Sequence, residues 1–367
     1  DAPYDPAFIA QETQFPRAKY ISFFGGRLWA AGLEGQPFSV QWSAPAPYHK
    51  VWPSLSIENL SEFDNSPITG MHPLGEYMVI FKSDSIWMAY DTGLNAFGLQ
   101  TYAIRLVVVG VGCVSNSSIK AIRGNLIFLA EDGIYRFDGN TATKISDPIN
   151  DTIGSITPGR RPFCAAAHWS TKSLYLLSIT TDGSNTSNLT VVYDYKNGSW
   201  WLWDNIDAQH WMEDEAANDN QVLYFGDSVG GIYQMGVGHN DHGGTITSYV
   251  TTQRLGNDGT RKRVRSITPL CSNQTRTVTV EVISNDEASG KSGTVAYTDT
   301  AEHDWTDFDY ASGATTDDSW TPLRKRTRRI DYRYDCDWMQ VKVTHNTKDQ
   351  PFEMSLLDIG YQQLGAR

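Results

Sequence analysis

Gly26-Arg27-Leu28-Trp29, Gly75-Glu76-Tyr77-Met78 and Gly124-Asn125-Leu126-Ile127 open three copies of one unit, spaced 49 residues apart. Looser copies begin at Lys172-Ser173-Leu174-Tyr175 and Gln221-Val222-Leu223-Tyr224. The second halves match too: Asp84-Ser85-Ile86-Trp87-Met88, Asp132-Gly133-Ile134-Tyr135-Arg136 and Gly230-Gly231-Ile232-Tyr233-Gln234. In the fourth copy Val191-Val192-Tyr193-Asp194 takes that place after a longer polar loop over 180–188. Each copy reads as a hairpin, with apolar residues alternating on either side of an Asp, Gly or Ser turn. Such a hairpin cannot bury both faces alone, so radial stacking is the natural solution. The period suits propeller blades, whereas the repeats of a parallel β-helix are shorter.

The fold predicted is all-β: a β-propeller of about five blades over residues 15–255, followed by a small C-terminal β-sandwich. Six blades are the alternative if the first 20 residues or upstream chain add strands. The first and last strands are expected to share a blade, closing the ring and removing its edges. In domain terms the expectation is a propeller over 1–240 and a sandwich module over 241–367, with a closing strand shared between them as a variant. In the second part Thr277-Val278-Thr279-Val280-Glu281-Val282, Met339-Gln340-Val341-Lys342-Val343 and Phe352-Glu353-Met354-Ser355-Leu356 alternate as half-buried strands do. Residues 245–252 and 263–270 complete the strand set.

Composition agrees. Of 367 residues, 40% are hydrophobic, 12% aromatic and 20% charged, which fits a folded β-rich chain and not a disordered one. The formal charge of −12 argues against gripping nucleic-acid phosphates over the whole surface, and suits a surface that lets an anionic polymer pass. Cys113, Cys164, Cys271 and Cys336 form no C-x-x-C pair, so four plain thiols are expected and no zinc site. No apolar run reaches membrane-spanning length. The sequence opens at Asp1 with no signal-peptide pattern, so upstream residues were either removed or lie outside it.

Chemistry is harder to find. Asp84, Asp91, Glu131, Asp132, Asp138, Asp194 and Asp204 are candidate carboxylates for a glycosidase pair, but most occupy the hairpin-turn position, where Asp satisfies turn amides. No intact Asp-box, nucleophile elbow, P-loop, GxGxxG or HExxH occurs. The cluster His239-Asn240-Asp241-His242-Gly243-Gly244 reads as a linker rather than a metal site, and 214–220 as a solvated turn rather than a calcium loop. Trp200-Trp201-Leu202-Trp203 and Trp211 are read as wedges between blades, with a sugar-stacking surface as the alternative. The expectation is therefore no enzyme, no cofactor and no metal.

Charge is uneven in the second part. Arg261, Arg263 and Arg265 form one basic group, Arg324, Arg326 and Arg328 another, and Asp304, Asp307 and Asp317 lie in the acidic stretch between them. Opposite charges on neighbouring segments make these the candidate subunit contacts, with a solvated sandwich face as the plainer alternative.

Several stretches carry a family resemblance. Ile21-Ser22-Phe23-Phe24-Gly25-Gly26-Arg27-Leu28-Trp29-Ala30-Ala31-Gly32 resembles the opening of phage virion propeller proteins. Pro67-Ile68-Thr69-Gly70-Met71, Val79-Ile80-Phe81-Lys82-Ser83-Asp84-Ser85-Ile86-Trp87, Gly112-Cys113-Val114-Ser115 and the run over 124–139 are similar again. The likeness is to the tail nozzle or stabilisation proteins of short-tailed phages. It is clearest over 20–150 and weaker at Pro351-Phe352-Glu353-Met354 and 360–367; the chain is shorter than the larger nozzle proteins. The resemblance implies a virion protein assembled in the host cytoplasm as a homo-oligomeric ring, commonly of six copies. Such a ring docks to portal or adaptor proteins and carries tail fibres, needle or tailspikes. DNA passes through it without sequence-specific binding, and nothing inserts in a membrane. The competing expectation is a secreted glycan-binding or glycoside-cleaving propeller.

Overall fold

A computed structural model of the protein describes residues 15–61, 66–94, 100–215, 221–240, 244–256, 260–271, 277–284, 291–296, 330–350 and 352–366. The chain divides into two compact units, Asp1–Met235 and Gly236–Arg367. The division falls five residues before the expected boundary at 240, so residues 236–240 belong with the second unit.

The first unit is a five-bladed β-propeller. Blade 1 is β1 (Ala18–Phe24), β2 (Arg27–Leu33), β3 (Gln36–Trp42) and β4 (Ile57–Asn59); blade 2 is β5 (Ile68–Leu74), β6 (Tyr77–Lys82), β7 (Ser85–Leu94) and β8 (Gln100–Val109). Blade 3 is β9 (Lys120–Ile122), β10 (Asn125–Leu129), β11 (Ile134–Phe137) and β12 (Ala142–Lys144). Blade 4 is β13 (Ala165–Trp169), β14 (Leu174–Ile179), β15 (Leu189–Asp194) and β16 (Ser199–Asp204), and blade 5 is β17 (His210–Glu215), β18 (Gln221–Gly226) and β19 (Ile232–Gln234). Every sheet is an antiparallel meander in chain order. The repeat that opens each copy is the tight turn from a blade's first strand to its second. At Gly26 and Gly75 that turn needs φ of 71° and 57°, which a side chain resists.

Apolar side chains alternate along the middle strands and pack blade on blade. Trp29, Met78, Ile80 and Trp87 fill the junction of blades 1 and 2, and Phe81, Met88, Leu126 and Phe128 that of blades 2 and 3. Leu129, Ile134, Tyr175 and Leu177 join blades 3 and 4; Leu176, Val192 and Leu223 join blades 4 and 5, with Trp203 and Trp211 against them. Among the described residues no such cluster joins blade 5 to blade 1. The expected sharing of a blade by the first and last strands is not seen either. β1 is the innermost strand of its own sheet, and among the described residues blade 5 has three strands.

The second unit holds two sheets, ordered β20 (Ser248–Thr251), β25 (Met339–His345), β22 (Thr277–Ser284), β23 (Lys291–Ala296) and β24 (Ile330–Cys336), β21 (Thr260–Cys271), β26 (Met354–Ala366). Alternate residues of β22 and β25 point inward, so that Val278, Val280, Val282, Val341 and Val343 meet Val264 and Ile267 of the other sheet in one apolar layer. This is the sandwich expected from the alternating segments.

Candidate functional site

In a propeller the innermost strand of each blade lines the central axis, so a polar residue there faces its counterparts on other blades. Four such residues meet. Lys120 on β9 places Nζ 2.7 Å from Oε1 of Glu213 on β17. The same oxygen accepts the backbone N–H of His168 on β13 at 2.9 Å. His72 on β5 lies within the fields of both Lys120 and Glu213, and its Nδ1 is 2.8 Å from the Pro73 carbonyl oxygen. Blades 2 to 5 are thus represented.

Burial is the first reason the His72 imidazole titrates below its ordinary value; the Pro73 carbonyl and Glu213 oppose this, and Lys120 adds to it. His168 is lowered the same way, by burial first, with Glu213 opposing and Lys120 reinforcing. Both imidazoles are therefore held neutral at neutral pH, beside one ion pair. The cluster ties the inner strands together across the axis. The sequence signal for three of these positions was a basic or imidazole side chain three to five residues before the turn at Gly75, Gly124 or Ser173; Glu213, among several polar residues of β17, had no such signal.

The turn carboxylates sit where the repeat puts them. Asp138 accepts the amides of Asn140 and Thr141, each at 2.8 Å, and the Thr141 amide is the largest cause holding it below the usual carboxylate range. Burial alone would raise Asp194, but the Asn197 and Lys196 amides and the Asn197 side chain outweigh it and the carboxyl is lowered. Asp91 accepts the Gly93 amide at 2.8 Å, and Asp132 accepts the Tyr135 hydroxyl at 2.9 Å. Asp84 stands in the β6–β7 turn and Asp204 closes β16. These carboxylates serve their own turns rather than converging with one another.

Glu131 differs. It stands in the β10–β11 turn, 3.3 Å from Nε of Arg161, on an open groove of about 520 Å³ also lined by Ser83, Val114, Ile156 and Pro158. Nη2 of Arg161 donates to the Ile153 carbonyl at 3.4 Å, while Nη1 is buried with no partner among the described residues. The groove lies at the end of the propeller where second strands turn into third strands.

The tryptophans divide. Trp200 donates to the Ile145 carbonyl at 3.2 Å, Trp211 donates to Ser178 Oγ at 2.9 Å, and Trp203 packs at the junction of blades 4 and 5. Trp201, with Leu202, is exposed. Asp214 belongs to β17 and not to a turn, because the hairpin register runs on to Glu215 opposite Gln221.

In the second unit Arg261, Arg263 and Arg265 all lie on β21. Arg263 forms a two-pronged pair with Asp335 of β24, Nε to Oδ1 at 2.7 Å and Nη2 to Oδ2 at 3.0 Å, and Arg265 donates to Gln362 of β26. The charge of Arg263 is thus met inside its own sheet. Arg324, Arg326, Arg328, Asp304, Asp307 and Asp317 lie outside the described residues. All four cysteines are free and buried, and burial pushes the thiols of Cys113 and Cys164 up to about 12. Among the described residues no three His, Cys, Asp or Glu side chains gather as a metal site, and no helix is long and apolar enough to cross a membrane.

No family model matches the chain, and no curated protein sequence does. Among solved structures it is similar to an exo-β-1,3-galactanase from Phanerochaete chrysosporium, at 10% identity over 93% of this chain and 95% of the other, with a TM-score of 0.29. It is similar also to a glycoside hydrolase family 43 arabinoxylan arabinofuranohydrolase from Bacillus subtilis, at 10% identity over 98% and 97%, TM-score 0.22. The S. cerevisiae core factor matches at 9% identity over 88% of this chain and 54% of that one, TM-score 0.32. Two of these are glycoside hydrolases, which corrects the expectation that the chain is not an enzyme: missing sequence motifs do not carry that statement. Likenesses this distant do not carry an activity over to the chain either. What stands plainly is a five-bladed β-propeller followed by a β-sandwich.

Proposed function

We propose that this chain is a structural protein of a phage tail, of the nozzle or stabilisation kind, that acts as a homo-oligomeric ring. The observation that carries this reading is the set of large apolar side chains left exposed on regular strands: Trp201 and Leu202 on β16, Tyr249 on β20, Leu356 and Tyr361 on β26. Strands that expose such residues offer surface for subunit packing. Three of the stretches that resemble virion propellers are the β1–β2, β6–β7 and β10–β11 hairpins of blades 1 to 3, so that part of the likeness covers repeated architecture. In this role the chain sits in the virion, docks to portal or adaptor proteins and offers attachment to fibres, needle or tailspikes. DNA passes along a ring built of chains that each carry a net charge of −12, which does not retain it. Electron microscopy of the purified chain tests this: annular particles are the expected result, and isolated single chains at every concentration overturn it.

A second reading, glycan binding or cleavage, is favoured by the groove beside Glu131 and Arg161. A carboxylate and a guanidinium beside Pro158 and Ile156 offer both hydrogen bonds and an apolar wall to a sugar ring. Screening against immobilised glycans, with Glu131→Gln and Arg161→Ala as controls, separates the two. Binding or turnover lost in both variants supports the glycan reading, and no binding removes it.

A further inference from the structure

We propose that the outer faces of blades 1 and 5 join neighbouring copies of this chain head to tail. The inference deepens the ring reading above and rests on it. Four junctions within the propeller are sealed by buried apolar clusters, and among the described residues the two end blades each keep one face without that seal. On β1, Tyr20 and Phe24 turn toward the cluster shared with blade 2, so Lys19, Ile21 and Phe23 turn the other way. On β17, Trp211 turns toward blade 4, so His210, Met212 and Asp214 turn outward.

The consequence is visible in exposure. Ile21 and Phe23 are 56% and 58% exposed, and Met212 and Ile232 are 57% and 80% exposed. The residues that the repeat aligns with Ile232, Ile86 in blade 2 and Ile134 in blade 3, are fully buried. Within one chain the two faces are held apart, since all four residues stay more than half exposed. Yet they complement one another: each is apolar at its centre, blade 1 bears the cation Lys19, and blade 5 bears the anion Asp214. Two different, mutually complementary faces on one chain make a heterologous contact, which repeats from copy to copy and closes into a ring when the rotation allows.

Ile21→Cys and Met212→Cys test this, because the four native thiols are buried and leave the new ones as the reactive pair. Oxidised glutathione serves as oxidant. Mixing Ile21→Cys chains with Met212→Cys chains is expected to give a disulfide-linked dimer that neither variant forms alone. No such dimer overturns the proposal. So does an Ile21→Cys/Met212→Cys double variant that closes only within single chains, which would mean the five blades shut on themselves. Phe23→Glu supplies an independent arm: unchanged melting with at least a tenfold weaker assembly supports the proposal, and unchanged assembly overturns it. A ring that forms normally without the disulfide keeps the ring reading and discards these faces.

Discussion

Nζ of Lys120 on blade 3 and Oε1 of Glu213 on blade 5 lie 2.7 Å apart, joining two inner strands that are not neighbours in the propeller. Glu213 holds the His168 amide with the same oxygen. Removing the side chain breaks a charge-assisted bond and leaves an amide without its acceptor. Glu213→Ala is expected to cost about 2 kcal/mol, and Glu213→Gln less, since the amide oxygen can still accept. Urea unfolding of the three proteins measures this. Equal stabilities would mean that the pair contributes nothing across the axis.

The neutral histidines give a pH dependence with a definite sign. In the unfolded chain an imidazole takes its proton near the ordinary value of 6.5; in the folded chain His72 and His168 take it at a lower pH. Below about 6.5 the unfolded state therefore binds more protons, and stability falls as pH drops toward the folded values. The melting temperature is expected to be lower at pH 5 than at pH 7. In His72→Gln/His168→Gln that difference shrinks, and an unchanged difference would place its origin elsewhere.

Gly112 has no side chain because there is no room for one. A Cβ there would lie 2.0 Å from the Lys82 carbonyl oxygen and 2.5 Å from the Ser83 carbonyl carbon, both backbone atoms that cannot swing aside. Gly112→Ala is expected to destabilise by roughly 2–3 kcal/mol. Thermal unfolding of the variant checks it.

The cysteines are expected to be silent in the native protein. Burial holds Cys113 and Cys164 near 12, and Cys271 and Cys336 are buried as well. A thiol reagent at pH 8 should modify none of the four until denaturant is added. Reaction of one thiol at the native rate of an exposed cysteine would contradict the packing described.

Much of this fold was legible because one repeat carries both periodicities. A turn residue such as Gly75 recurs every 49 residues, and alternating stretches such as 277–282 declare a half-buried face. Asp138 and Asp194 were legible as turn residues for the same reason. β23 and β24 were missed: Lys291–Ala296 is short and polar, and the alternation of Ile330–Cys336, whose Ile330 and Cys336 pack in the core, went unread beside the charged run before it. The axis cluster was hidden for a different cause. His72, Lys120, His168 and Glu213 are up to 141 positions apart, and only the radial arrangement of the blades brings their side chains together. The pairing of Arg263 with Asp335, 72 residues away on an adjacent strand, was hidden in the same way.

The ring is the centre of the account, and the mass of the native particle tests it most directly. Native mass spectrometry of the purified full chain is expected to give an integer multiple of 41.0 kDa, with six copies the value the family resemblance implies. A species of 41.0 kDa alone, at every concentration and salt, would contradict it.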